Sequence, residues 1–236
     1  MQRYLAKAAL LPNGWADNVL LTIDDTGHFH DVQSNAEISS AAVGVLREDI
    51  IIPAMPNLHS HAFQRAFAGQ SEFSTAAQDS FWTWRALMYD FAQTLDASEL
   101  ERIATALYKE MRKAGYGHVG EFHYIHHAPD GTPYNDPAAL SHAMIRAAQN
   151  AGIGITLLPV LYAYSGFGAK PPEGGQKRFL HDAQSYLALI CQLHKQYKDT
   201  PRVKIGAAFH SLRAVSPEII RDTLAGLNEI DPTMPI

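Results

Sequence analysis

From Ile50 onward the chain repeats one pattern: a short, nearly uninterrupted apolar run, then a longer stretch with helical spacing. The apolar runs are Ile50-Ile51-Ile52 leading into Pro53–Arg65, then His118–Tyr124, Gly154–Tyr162 and Val203–His210. The helical stretches run from about Ala97 to Ala114, Pro137 to Ala151, His181 to Tyr197 and Pro217 to Leu227. Asp96 or Ser98, and Ser216 with Pro217, supply helix starts, while Gly115 and Gly152 supply stops. Strands that lack polar alternation are covered on both faces, the condition of a parallel sheet. Alternating with helices, they predict an α/β fold. A doubly wound sheet and a (β/α)8 barrel both satisfy the pattern. The barrel is preferred because His59 and His61, His123 and Tyr124, Tyr162 and His210 gather at carboxyl ends of strands, where barrel enzymes keep their sites. Four βα units make the first half of a TIM-type barrel, with Met234-Pro235-Ile236 read as the start of a fifth strand.

Residues 1–52 read differently. The β-like pieces Val19–Ile23 and Ala42–Leu46 are separated by turn chemistry at Asn13-Gly14, Asp24–Gly27 and Gln33–Asn35, which predicts a small antiparallel β segment. The expected division is therefore a β domain over 1–52 and a barrel segment over 53–236 that carries strands one to four. His28 and His30 repeat a His-x-His spacing but stand in a polar setting just past a turn glycine, and are expected to be exposed.

With 47% hydrophobic and 18% charged residues in 236, disorder as the general state is excluded. The net charge of -5 is spread along the chain, which leaves no basic stripe for nucleic acid and no polybasic membrane patch. A small metabolite is the expected partner, with a homodimer as the candidate assembly. The one cysteine, Cys191, lies in an apolar helical run and reads as a small packed residue. No stretch approaches a membrane span or an export signal, which points to the cytoplasm.

Alternate residues of an extended chain point the same way, so His59 and His61 can face one ion together. Neutral imidazoles suit Zn²⁺ or another borderline divalent metal, which needs further ligands from elsewhere. A bare His-x-His equally describes two polar residues at a strand end; the apolar run before it and the βα-type chain after it favour the metal. Arg85, set among the aromatics of Asp79–Tyr89, is a candidate carboxylate clamp, against the alternative of an arginine stacked on tryptophan. His210 and Arg213 can converge on an anion at the fourth strand end. Two arginines in separate strand-end loops suggest a substrate with two carboxylates. Gln64 and Tyr124 are further polar groups at strand ends. His123, His126 and His127 are expected to follow a loop leaving the barrel mouth, and Ser165–Gln176 to form a lid or a surface loop.

Pro-Asn-Leu-His-Ser-His-Ala-Phe-Gln-Arg, Asp-Ser-Phe-Trp-Thr-Trp-Arg, Gly-Glu-Phe-His-Tyr-Ile-His-His and His-Ser-Leu-Arg-Ala-Val, in this order, resemble the formiminoglutamate deiminases of the amidohydrolase superfamily. The match runs from about Trp15 to the last residue and corresponds to the amino-terminal half of such an enzyme. The first motif is widespread in the superfamily; the other three together are more specific. The resemblance implies a barrel with a small β domain, one Zn²⁺ per intact subunit, and hydrolysis of N-formimino-L-glutamate to N-formyl-L-glutamate and ammonia in histidine degradation. It implies that His59 and His61 are metal ligands and that Gln64, Arg85, Tyr124, His210 and Arg213 surround the substrate. The family's general acid/base and remaining ligands would fall after Ile236, so no catalytic residue is expected within this chain and the chain alone is expected to be inactive. Phe209 stands where relatives are expected to have Pro, and Lys204 lies at the wrong end of its strand to bridge two metals. The competing expectations are another amidohydrolase, such as a guanine-type deaminase, and a non-catalytic half barrel serving as an assembly module.

Overall fold

The computed structural model describes residues 1–37, 43–70 and 81–236, with the side chains of residues 81 and 82 outside that description. Ala42, and the Asp79-Ser80 pair of the aromatic motif, therefore lie outside the described residues. The chain divides into two compact units, Met1–Ala54 and Met55–Ile236.

The first unit is a four-stranded sheet of β1 (Gln2–Leu11), β2 (Gly14–Ile23), β3 (Phe29–Gln33) and β4 (Val45–Ile51), in the order β3-β2-β1-β4. β1 and β2 are antiparallel, as are β2 and β3, but β1 and β4 run parallel, so the sheet is mixed rather than antiparallel. Ala6, Ala9, Val19 and Leu21 form its buried face. The run Ile50-Ile51-Ile52 was expected to lead straight into the strand that carries His59 and His61. Instead Ile50 and Ile51 pair with Ala8 and Ala9 in this first sheet, and Ile50 is 64% exposed. Pro53, which has no N–H to offer a ladder, falls in the break between the two strands. His28 and His30 are exposed, and Thr26 Oγ1 lies 2.8 Å from His28 Nδ1 within the turn.

The second unit holds β5 (Met55–Ser60), α1 (Phe81–Thr94), α2 (Ala97–Lys113), β6 (Tyr116–His123), α3 (Ala139–Ala151), β7 (Gly154–Leu161), α4 (Ala183–Tyr197), β8 (Val203–Ile205), β9 (Ala208–Phe209) and α5 (Pro217–Ile230). The strands pair in the order β5-β6-β7-β8, with β9 also on β7, and every pairing is parallel. This is the partial TIM-type barrel that the alternation predicts. Val119, Ile155, Leu157 and Val160 are fully buried, each leaving water for about 1.5–3 kcal/mol. They pack against helix residues such as Leu100, Tyr108, Met144 and Leu193. The helix starts are chemically specified. Asp96 accepts from the Glu99 N–H while the Glu99 carboxylate accepts from the Asp96 N–H, and Asp182 and Ser216 cap α4 and α5. Gly152, at φ 70°, ends α3 in the left-handed turn that glycine adopts without a Cβ clash.

The fourth barrel strand, expected unbroken from Val203 to His210, is split at Gly206-Ala207. The Ala207 N–H donates to Pro235 O at 2.9 Å instead of to β7, and Pro159 of β7 has no N–H for the opposite ladder. A Cβ on Gly206 would sit 2.7 Å from Pro235 O, so the crossing requires glycine. Met234-Pro235-Ile236 is not a strand. No helix of the described residues is long and apolar enough to cross a membrane.

Candidate active site

His59 near the end of β5 and His61 just past it turn toward each other, and their Nε2 atoms lie 2.9 Å apart. His61 Nδ1 lies 3.1 Å from the carbonyl oxygen of Phe122, which can only accept; His61 therefore carries its proton on Nδ1, and its Nε2 is a lone pair. Such a carbonyl contact fixes tautomer and ring direction in metal-binding histidines. Burial, assisted by neighbouring His59, holds the His61 pKa below the usual imidazole value, which keeps the ring neutral. The ring of His59 stacks on Phe122 at 5.9 Å between centroids.

Glu121 of β6, in register with Ser60, is buried and accepts from the Ala62 N–H at 2.7 Å and the Tyr108 hydroxyl at 3.0 Å. Ala62 opens the short 3-10 turn Ala62–Phe67, whose Phe63 and Phe67 are buried. That anchoring leaves Gln64 to donate to the Tyr124 hydroxyl at 3.1 Å. Desolvation raises the Tyr124 pKa, so this phenol remains protonated and able to donate.

His210, just past β9, has its pKa lowered to about 4 by burial and then by Arg213, His61 and Arg85. Both guanidinium groups and the His61 ring therefore bear on one imidazole, which stays neutral. Arg85 donates from Nε to the Tyr89 hydroxyl at 2.6 Å, and Arg213 donates from Nη1 to Ser165 O at 2.9 Å. His59, His61, Gln64, Arg85, Tyr124, His210 and Arg213 all line one cavity of about 260 Å3. Every site candidate selected from the sequence is thus brought to one hollow at the carboxyl ends of the parallel strands. Tyr89 and Phe122 also line it and were passed over. Tyr89 stands one helical turn from Arg85, a spacing that could have flagged it. Tyr162, at the end of β7, also lines the cavity; the sequence reading placed it at a strand end without choosing it.

His126 and His127 stand in irregular backbone just after β6, as expected, while His123 is the last residue of that strand, and all three are buried. They are 4%, 1% and 8% exposed, and with His181 they form a packed cluster beside the buried Arg178. The N–H groups of His126 and His127 both donate to Arg178 O, which ties this segment to the turn that carries Arg178. Burial pushes His123 down to about 3 and His181 to about 4. Among the described residues no group of three or more His, Cys, Asp and Glu is placed to hold a metal ion. The His59–His61 pair fits as two imidazole ligands of a site whose remaining donors are not among the described residues.

A parallel α/β half barrel with paired imidazoles, guanidinium groups and a phenol at its strand ends defines a barrel of the hydrolase type. The chain belongs to the amidohydrolase family, whose pattern matches residues 50–231. It is 47% identical over 226 residues to formimidoylglutamate deiminase of Pseudomonas aeruginosa, a match covering 95% of this chain and 49% of that protein. The crystal structure of an amidohydrolase from Brucella melitensis superposes with a TM-score of 0.89 at 40% identity, over 98% of this chain and 50% of that one. A guanine deaminase from C. acetobutylicum, with guanine bound, shares the fold at TM-score 0.70 and 17% identity, over 97% of this chain and 50% of that one. The chain spans about half the length of the relatives it matches.

Proposed function

We propose that the intact protein hydrolyses N-formimino-L-glutamate to N-formyl-L-glutamate and ammonia, as a zinc-dependent cytoplasmic step of histidine degradation. The observation that supports this reading is the presence of two guanidinium groups, Arg85 and Arg213, on the same cavity as the paired imidazoles. An anionic substrate with two carboxylates calls for two such groups; a neutral ring does not. His59 and His61 would hold the zinc, His61 through the Nε2 that its bond to Phe122 leaves unprotonated. Bound zinc supplies Lewis acidity and a water of lowered pKa. Arg85 and Arg213 would each take a carboxylate of the substrate. Gln64 and Tyr124, already bonded to each other, would orient its polar end, and neutral His210 would accept or donate one hydrogen bond there. The described lining of the cavity has no carboxylate, so this chain's residues are assigned to binding and positioning rather than to proton transfer. The formimidoylglutamate deiminase of P. aeruginosa, similar over nearly the whole chain, supports the same substrate.

Calorimetric titration of the intact, zinc-loaded protein separates this reading from a guanine-type deaminase. Binding of N-formimino-L-glutamate with no binding of guanine is the expected result. Preference for guanine overturns the proposal.

A further inference from the structure

Arg85 and Arg213 come from different elements, α1 and the loop after β9, and long flexible stems would normally leave their separation loose. Here they are joined. The Tyr89 hydroxyl accepts from Arg85 Nε at 2.6 Å. On the other side the segment that follows Tyr162 holds Arg213: Ser165 O accepts from Arg213 Nη1 at 2.9 Å, and the N–H groups of Ala163 and Tyr164 donate to Ala214 O. Gln176 ties the two phenols together from behind: its Nε2 lies 3.3 Å from the Tyr89 hydroxyl and 3.0 Å from that of Tyr162. The amide orientation is set by its other end, because Oε1 accepts from the Glu173 N–H at 2.8 Å. Gln176 is 2% exposed and does not line the cavity, so it reaches a ligand only through the two tyrosines.

The turn that carries Gln176, Gly174–Phe179, is itself fastened to α1. Gln93 donates to Gly175 O at 3.0 Å, Arg178 donates from Nη1 to Ala92 O, and a Cβ on Gly175 would lie 2.8 Å from the Tyr89 ring. Phe179 closes the back, with its ring 5.8 Å from Tyr89 and 5.9 Å from Tyr162. The path from one guanidinium to the other thus runs through two aromatic rings, each with only two rotatable side-chain bonds, held by a buried amide.

We infer that Tyr89, Tyr162 and Gln176 form a rigid bridge that fixes the separation of Arg85 and Arg213, and so selects ligands by the spacing between their two carboxylates. Gln176 is a positioning residue in this arrangement. The inference rests on the dicarboxylate reading above and deepens it. Preorganised cations bind a matched diacid at both ends without the entropy of gathering two free side chains. A diacid that is one methylene too short or too long keeps only one charge-assisted pair, a loss of about tenfold or more in affinity.

The test is calorimetric titration of the chain with succinate, glutarate and adipate, and with butyrate as the monoacid. The wild-type chain should bind one of the diacids about tenfold or more tighter than the other two, and tighter than butyrate. Gln176→Met should flatten the diacid series to within about threefold, the expectation for arginines that adapt to any spacing. Circular dichroism checks that the variant is folded. If it is not, Tyr162→Phe, which keeps the ring and removes the hydroxyl, decides in its place. A wild-type chain that binds no diacid better than butyrate sinks the dicarboxylate reading itself. A wild-type chain that prefers diacids but does not discriminate their length overturns the bridge and leaves that reading standing. So does a length optimum that survives unchanged in the folded variant.

Discussion

Lowering the pH from 7.5 to 5.5 should destabilise the second unit by about 3 kcal/mol or more through its buried histidines. The two that set the magnitude are His123, held to about 3 by burial and then by Arg178, and His181, held to about 4 by burial and then by His127 with Asp182 opposing. Both side chains are more than nine-tenths buried. Their folded pKa values lie below the unfolded imidazole value near 6.5, so between those values the unfolded chain binds more protons, and stability falls as pH falls. At pH 5.5 the folded rings are still neutral while the unfolded ones are mostly charged, which amounts to about 1.4 kcal/mol for each ring. The remaining depressed imidazoles, among them His126 and His127, act in the same direction. Glu121 opposes them, because its pKa is raised by burial and its contribution is lost as pH rises. The window lies above the range where the surface carboxylates protonate, which isolates the histidine contribution. Urea unfolding in metal-free buffer at pH 7.5, 6.5 and 5.5 reads the effect directly. His181→Gln should reduce the pH slope by one proton's worth. An unfolding free energy constant to within about 0.5 kcal/mol over that range would refute the reasoning.

Glu121→Leu removes the acceptor of both the Ala62 N–H and the Tyr108 hydroxyl, and leaving two buried donors unmet should cost about 2–4 kcal/mol. Because Ala62 directly follows His61, the variant should also bind zinc more weakly by elemental analysis after dialysis; unchanged stability and zinc content would show that the carboxylate holds nothing. Asp96→Ala breaks a reciprocal cap at the start of α2 and should lower stability by about 1 kcal/mol, with no effect expected if the helix start is set by packing alone. Both are read by the same urea titrations.

Much of the site was legible because its determinants are local. His59 and His61 stand at a strand end with the two-residue spacing of extended chain, and Gln64, Tyr124 and His210 stand at or just beyond apolar runs that end in the barrel mouth. The starts of α2 and α5 followed from caps that act within three residues, at Asp96 and Ser216. Where the reading failed, distant pairing decided. Ile50 and Ile51 are as apolar as a barrel strand, yet their partners are Ala8 and Ala9. The strand from Val203 breaks because the Ala207 N–H finds Pro235 O. The histidines just after β6 read as a polar loop, yet they are buried, with the N–H groups of His126 and His127 both on Arg178 O from a remote turn.

The sequence by itself determined the alternation of strand and helix, the two imidazoles at one strand end and the two arginines in separate loops. All of these are written in residue periodicity and in side-chain chemistry that do not depend on a partner. The tertiary structure alone decided that Tyr89 and Gln176, 87 residues apart, would meet, that Gln176 would also reach Tyr162 while Arg213 bonds Ser165 three residues further on, and that a buried Glu121 would hold the Ala62 N–H next to His61. A hydrogen bond between remote side chains leaves no spacing in the chain to be read; it exists only once packing has brought its donor and acceptor together.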